Sequence, residues 1–304
     1  MAMHLYFEGA DITASVGISS ASIIDGAGGQ LDSVEVAFAD TRGDWSRWQP
    51  QPDQIIRLTE EGFDSGDCFV DQIEQARGLY ILRGLSAPSG AKEPRSRSWE
   101  RPTLMQLAGD VAAGLGFALA PYGIDNPTYD WVDQDGEPDL SFLAGRCALE
   151  GIAVKVNSRK LILYGEAAFE ARAPVRRIRP EDLFGAPLYR SARQGTYAGC
   201  AVSYHGISGS WIIPGRTGET LLRRVYVTSA GEAQRFARGL LRRANRMQDV
   251  MQAVIRLDPA LAGGSMVSVS GFGTADGLYM VDEAEHRLTD RLTSLRLRRR
   301  LEGC

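Results

Sequence analysis

Short runs in which apolar and polar residues alternate one for one, cut by glycine and proline, constrain this chain more than any other feature. In "LDSVEVAFAD", Val34, Val36 and Phe38 alternate with Ser33, Glu35 and Ala37, the period of a strand with one buried face. "DTRGD" breaks it. Further extended runs come at "QIIRLTEEG", "DCFVDQIEQA" and "GLYILRGLSA", separated by "FDSG", "ARG" and "APSGAKEP", so residues 1–90 predict a small β-barrel or sandwich. The "LYFEG" near the amino terminus superficially resembles a protease-tag remnant, but its alternation suits a first strand, and it is kept in the fold.

Helical periodicity takes over after Lys92. In "RPTLMQLAGDVAAGLGF", Thr103 and Gln106 make a T-x-x-Q capping box ahead of Leu104, Leu107, Val111 and Leu115 on one stripe, with Gly116 as the stop. A second helix is predicted in "EPDLSFLAGRCALEG", with Pro138 in its first turn and Leu140, Leu143 and Cys147 on one face. "IAVKVNSRKLILYG" then reads as a hairpin turning at Asn157 and Ser158. Residues 91–172 are therefore expected to form an α+β insertion. Strands return over residues 173–304, interrupted by one long helix in which Ser229 and Glu232 make an S-x-x-E box and Ala233, Phe236, Leu240, Ala244 and Met247 recur at helical spacing. The expected fold is mainly β, two β-barrel-like domains flanking a small α+β domain.

A chain of 304 residues is too long for one ordinary core, which agrees with that division. Its 44% hydrophobic and 24% charged content is that of a globular protein. The net charge of -4 argues against a general electrostatic grip on nucleic acid. Cys68, Cys147, Cys200 and Cys304 lie far apart with no C-x-x-C spacing, and the three histidines are scattered. Neither a metal site nor a disulfide framework is signalled, and no cofactor motif is present. No apolar run is long enough to span a bilayer and no basic leader precedes an apolar stretch, so folding in the cytoplasm is expected.

Two clusters invite a functional reading. "MVDEAEHRLT" sets Asp282, Glu283, Glu285 and His286 within five residues, the ingredients of acid/base chemistry if burial separates their pKa values. Strict alternation, however, puts Leu278, Met280, Asp282, Ala284 and His286 on one strand face and Tyr279, Val281, Glu283, Glu285 and Arg287 on the other, which splits the acids. The expectation is a strand emerging at a rim, with Glu283 and Glu285 pairing to Arg296 or Arg298 of the closing strand. The second cluster is Arg235, Arg238, Arg242, Arg243 and Arg246 on the long helix. Phosphate contact is one reading; a solvated face or subunit contact, with the arginine stems covering apolar surface, is the stronger one. No catalytic, cofactor or metal residue is assigned.

The stretches "KEPRSRSWERPTLMQLAGDVAAGLGF", "GEPDLSFLAGRCALEGIAVKVNSRKLILY" and "LDPALAGGSMVSVSGFGTADGLYMVDEAEHRLTDRLTSLRLRR" follow one another in a distinctive order: a basic "SRSW" before a T-x-L helix, an acidic lead into an F-L-x-R helix and its hairpin, the Ser-x-x-Glu-Ala helix, and a terminal G-x-Y-x-V-x-x-A-x-H strand. From about Val34 to Arg300 the chain resembles the late control gene D family of phage tail proteins, the baseplate hub of contractile tails. It departs from that pattern at Pro138, where a capping Ser is usual, and in its short "TDRLTS" turn. The resemblance implies a non-enzymatic virion protein assembled in the host cytoplasm. It further implies a homotrimeric ring of pseudo-sixfold symmetry, with the tail tube and other baseplate proteins on one side, the central spike on the other, and the genome passing through without specific binding. Alternatives are the hub of a phage-derived injection machine, pyocin-like or type VI-like, and, in another class, a tail-associated cell-wall hydrolase.

Overall fold

The computed structural model describes residues 3–41, 43–76 and 78–304. Met1 and Ala2 of the amino-terminal stretch, Arg42 of "DTRGD" and Arg77 of "ARG" lie outside the described residues. The first region carries β1 (His4–Phe7), β2 (Ile18–Gly26), β3 (Ser33–Ala39), β4 (Ile55–Glu60), β5 (Cys68–Ala76) and β6 (Leu79–Leu85). Val34, Val36 and Phe38 are buried as their alternation requires, packed with Leu5, Ile56, Leu58 and Leu82 in one core. Antiparallel pairing of β1 with β4 makes "LYF" a strand of the fold, with Leu5 fully buried.

The middle region contains β7 (Pro94–Glu100), α1 (Leu104–Leu115), β8 (Ala118–Tyr122), β9 (Trp131–Pro138), α2 (Asp139–Leu149), β10 (Ile152–Asn157), β11 (Lys160–Gly165) and α3 (Glu166–Glu170). Both halves of the Thr103/Gln106 capping box form, and α1 ends on left-handed Gly116, the conformation that favours glycine at this position. Ser158 and Arg159 both take positive φ between β10 and β11, as the tight hairpin demands. Pro138 is the residue before α2 instead of lying in its first turn; Asp139 opens the helix and is buried.

The last region supplies β12 (Leu188–Ser191), β13 (Gly199–Tyr204), β14 (Ile207–Ile212), β15 (Thr220–Arg224), α4 (Ala230–Asn245), β16 (Asp249–Arg256), β17 (Met266–Val269), β18 (Gly277–Arg287) and β19 (Leu292–Arg299). Ser229 caps α4 by accepting from the Glu232 amide, but the Glu232 carboxylate turns away to Thr228, so half of the expected box is made. The buried face of α4 is Ala233, Phe236, Ala237 and Leu241. It packs with α1, α2 and the three-stranded sheet of β13 to β15 in one hydrophobic core.

One large sheet unites the two ends of the chain in the order β12, β16, β19, β18, β2, β3, β6, β5, β4, β1. The architecture is mainly β, as the alternating runs require, and none of its sheets closes on itself. The seam is the antiparallel pairing of β18 with β2, which sets Ala284 beside Asp25 and His286 beside Ile23. On one face of the last region's strands, Tyr279, Val281, Ala284, Leu295 and Leu297 form a core of their own. The opposite face is covered by the middle region, through contacts described next.

Candidate functional site

In β18 the acidic cluster does not follow strict alternation. The register against β19 slips between Val281, opposite Leu297, and Glu283, opposite Arg296, leaving Asp282 as an extra residue. Such a β-bulge reverses the phase of the strand. Val281, Ala284 and His286 consequently turn into the structure together, while Asp282 and Glu283 point the same way and share Arg296, at 2.8 and 3.2 Å. The expected split of Asp282 from Glu283 is thus corrected, and His286 shares a face with Val281 instead of Asp282. The pairing of Glu283 with Arg296 is as expected, whereas Glu285 lies opposite Ser294.

His286 is not a rim residue. Its ring is 1% exposed, sits 5.1 Å from the Phe63 ring, and has Nδ1 3.1 Å from the Thr293 hydroxyl. Burial lowers its pKa from the ordinary histidine value, so the ring stays neutral at pH 7. Asp282 and Glu283 are bound to Arg296, Glu285 lies opposite Ser294, and the His286 ring meets the Thr293 hydroxyl instead of any of these carboxylates.

Arg298, expected as a surface partner, is buried to 1% exposure. It donates to Glu170 of α3 and lies 3.6 Å from Glu166 and 3.8 Å from Asp282. Arg242 reaches the same two carboxylates from α4, donating to Glu166 at 2.9 Å. Burial alone would lower the Arg298 pKa, but Glu166 and Glu170 outweigh it and the net shift is upward. Two arginines and two glutamates therefore close a buried network joining β19, α3 and α4. Of the other helix arginines, Arg235 donates to Glu150 at 3.0 Å, Arg238 lies over the Trp211 ring and Arg246 stands 4.0 Å from Glu166. Arg242 is buried, whereas Arg235, Arg238 and Arg243 stay exposed, as a solvated helix face requires.

A second buried cluster fastens the seam to the middle region. Lys155 of β10 donates to Asp25 of β2 and to the Gly26 carbonyl at 2.9 Å, and lies 3.1 Å from Asp32. Asp25 also accepts from the Gly263 amide at 2.7 Å, and Asp32 from Gly26 at 2.9 Å. Burial raises the Asp32 pKa to about 6 against the pull of Lys155, with Asp25 adding to the rise. Burial would depress Lys155, yet the two carboxylates hold it above its usual value. Sequence reasoning missed this cluster because its members are 130 positions apart; a charged residue at the end of an otherwise buried strand face, Asp25 after Ala21 and Ile23, was the available signal.

All four cysteines are free and buried. Burial raises the thiol pKa of Cys147, and of Cys200 to about 11, which removes thiolate reactivity. Among the described residues no group of three or more His, Cys, Asp or Glu could hold a metal, and no helix is long and apolar enough to cross a membrane.

Among the open concavities is a groove of about 490 Å³ along β9, floored by α2 and walled by Tyr226. The structure thus carries surface grooves and two buried charge clusters, with no constellation for bond-breaking chemistry among the described residues.

This architecture is the fold of phage tail proteins. It overlays on the prophage MuSo2 43 kDa tail protein from Shewanella oneidensis with a TM-score of 0.74 at 13% identity, covering 98% of both chains. The tail protein from Neisseria meningitidis MC58 gives 0.76 at 12%, covering 98% of this chain and 96% of that one. An Escherichia coli protein, c3393, described as a type VI secretion component with structural similarity to T4 tail proteins gp27 and gp5, gives 0.58 at 11%, covering 99% of this chain and 78% of its own. No family model matches the sequence, and no curated protein is similar to it by sequence.

Proposed function

We infer that the chain is the structural hub of a contractile phage tail baseplate, a trimeric ring that joins the tail tube to the central spike. The observation that carries this reading is the end-to-end overlay on two phage tail proteins, each matched over nearly its whole length. Three copies would present six β units to a sixfold tube, residues 1–90 and 173–304 acting as the paired units and 91–172 as the part set against them. The open sheet edges give such a ring something to pair. The binding of Asp282 and Glu283 to Arg296 favours a structural role for this cluster over a lytic one. The likeness to the type VI component favours, as a second reading, the same hub in a phage-derived injection machine.

Native mass spectrometry and sedimentation of the purified chain, alone and with candidate spike and tube proteins, test the reading. Trimers that bind both supports it; a monomer under every partner condition overturns it. A lytic band in a cell-wall zymogram would overturn the non-enzymatic role.

A further inference from the structure

The groove beside β9 and the outermost strand of the large sheet are opposite in charge, and each has a free strand edge. β9 pairs with β7 on one side and, among the described residues, with no strand on the other. Along that edge, Trp131, Val132 and Asp133 form one wall, Phe142 and Leu149 of α2 form the floor, and Tyr226 stands opposite. Trp131 and Tyr226 are 43% and 42% exposed, large aromatic surface at the mouth of a concavity, the kind of patch that marks a contact site. The same stretch carries Asp130, Asp133, Asp135 and Glu137. Among the described residues none of these has a cationic partner, and the Asp133 carboxylate accepts from the Trp131 indole.

The other half lies at the end of the large sheet. β12 pairs with β16 and leaves its second edge free. Leu188 on this edge is 61% exposed, and Phe184 before it is also exposed. Arg190 and Arg193 are exposed, and among the described residues neither meets a carboxylate. Two free strand edges of opposite charge, each with unburied apolar residues, are a template for addition of a strand from one chain to the sheet of another.

Building on the ring reading above, we propose that β12 of one copy adds to the free edge of β9 of the next, with Leu188 lodged between Trp131 and Tyr226 and with Arg190 and Arg193 against Asp135 and Glu137. Because the two surfaces differ, the contact is head-to-tail. Such a contact propagates instead of stopping at a pair, and it makes a ring where its rotation closes. The arginine–carboxylate contacts set register and partner choice, and the apolar side chains exclude water around them.

Charge reversal tests this on the intact chain. The variants are Arg190→Glu with Arg193→Glu, Asp135→Arg with Glu137→Arg, and all four changes combined, each checked for wild-type far-ultraviolet circular dichroism and melting temperature. Native mass is then followed as a function of concentration. Each double reversal is expected to abolish the trimer, weakening association on the order of a hundredfold or more, and the fourfold variant is expected to restore it. A wild-type trimer that survives both double reversals overturns this interface while leaving the hub reading intact. A wild-type chain that never assembles, alone or with its partners, overturns both. Loss of the trimer in all three variants, without rescue in the fourfold one, also counts against the pairing, since the charges would then act elsewhere.

Discussion

The two buried charge clusters hold the same α+β region against the same sheet, yet they are built on different arithmetic. At the α3 end, two arginines face Glu166 and Glu170, and every charge has an opposite within reach. At the seam, a single Lys155 serves both Asp25 and Asp32. In the balanced network each carboxylate has beside it a guanidinium, which keeps its charge. The acid-rich triad has one cation for two carboxylates, and burial lifts Asp32 to about 6 against the pull of Lys155. One clamp is matched in charge and the other is not.

Breaking the balanced clamp should have the largest effect. Arg298→Met leaves Glu166 and Glu170 buried with one cation between them, and urea unfolding is expected to report a loss of about 3–5 kcal/mol. Lys155→Met strips the seam of its only cation and should cost about 3 kcal/mol at pH 7. That loss is expected to shrink at pH 5, where Asp32 can take up a proton; an equal loss at both pH values would contradict the contrast. In the wild type, Asp32 releases its proton near pH 6 when folded but near the ordinary aspartate value of 3.8 when unfolded. Between those limits the folded chain holds a proton that the unfolded chain has lost, so this group's contribution makes stability fall as pH rises through the window. Above about pH 6 its contribution is flat. The expected change is on the order of 3 kcal/mol. Asp32→Asn should flatten it, with Lys155, Asp25, Asn157 and the nearby neutral His286 left in place.

Two substitutions outside the clamps calibrate the comparison. Thr103→Ala removes one side of the α1 capping box and should cost about 1 kcal/mol, equally at pH 5 and pH 7. Glu283→Gln weakens a partly exposed pair with Arg296 and should cost about 0–1 kcal/mol in thermal unfolding. A loss as large as that of Arg298→Met would mean that the bulge at Asp282 depends on this pair.

Much of the fold was legible because its signals are local. The β3 run, the Thr103 box and the turn at Ser158 each declare themselves within a few residues, and each is realised. β2 was not recognised because its sequence, "ISSASIIDG", is polar for a strand and ends its buried face in Asp25. That aspartate makes sense only once Lys155 is beside it. The phase error in β18 has the same origin: nothing in "MVDEAEH" marks Asp282 as supernumerary, because a bulge is defined by the count on the opposing strand. Arg242 looked like surface for a related reason, since its carboxylates come from another part of the chain. The acids and histidine of β18 and the helix arginines were therefore visible as residue types, but their partners were not.

The seam between β2 and β18 also carries a timing consequence. A strand near residue 20 finds its neighbour only when residues close to 285 arrive, so the central pairing of the large sheet is among the most distant contacts in the chain. Contacts of that kind are reached late, after a large loss of loop entropy. During synthesis, β2 must wait with one edge unpaired while the middle region folds, and the acids flanking that edge, Asp25 and Asp32, remain hydrated until Lys155 reaches them. An unclosed sheet edge is a template for the wrong chain as well as the right one. The charge on the waiting strand thus keeps nascent copies apart before it helps to lock the finished one.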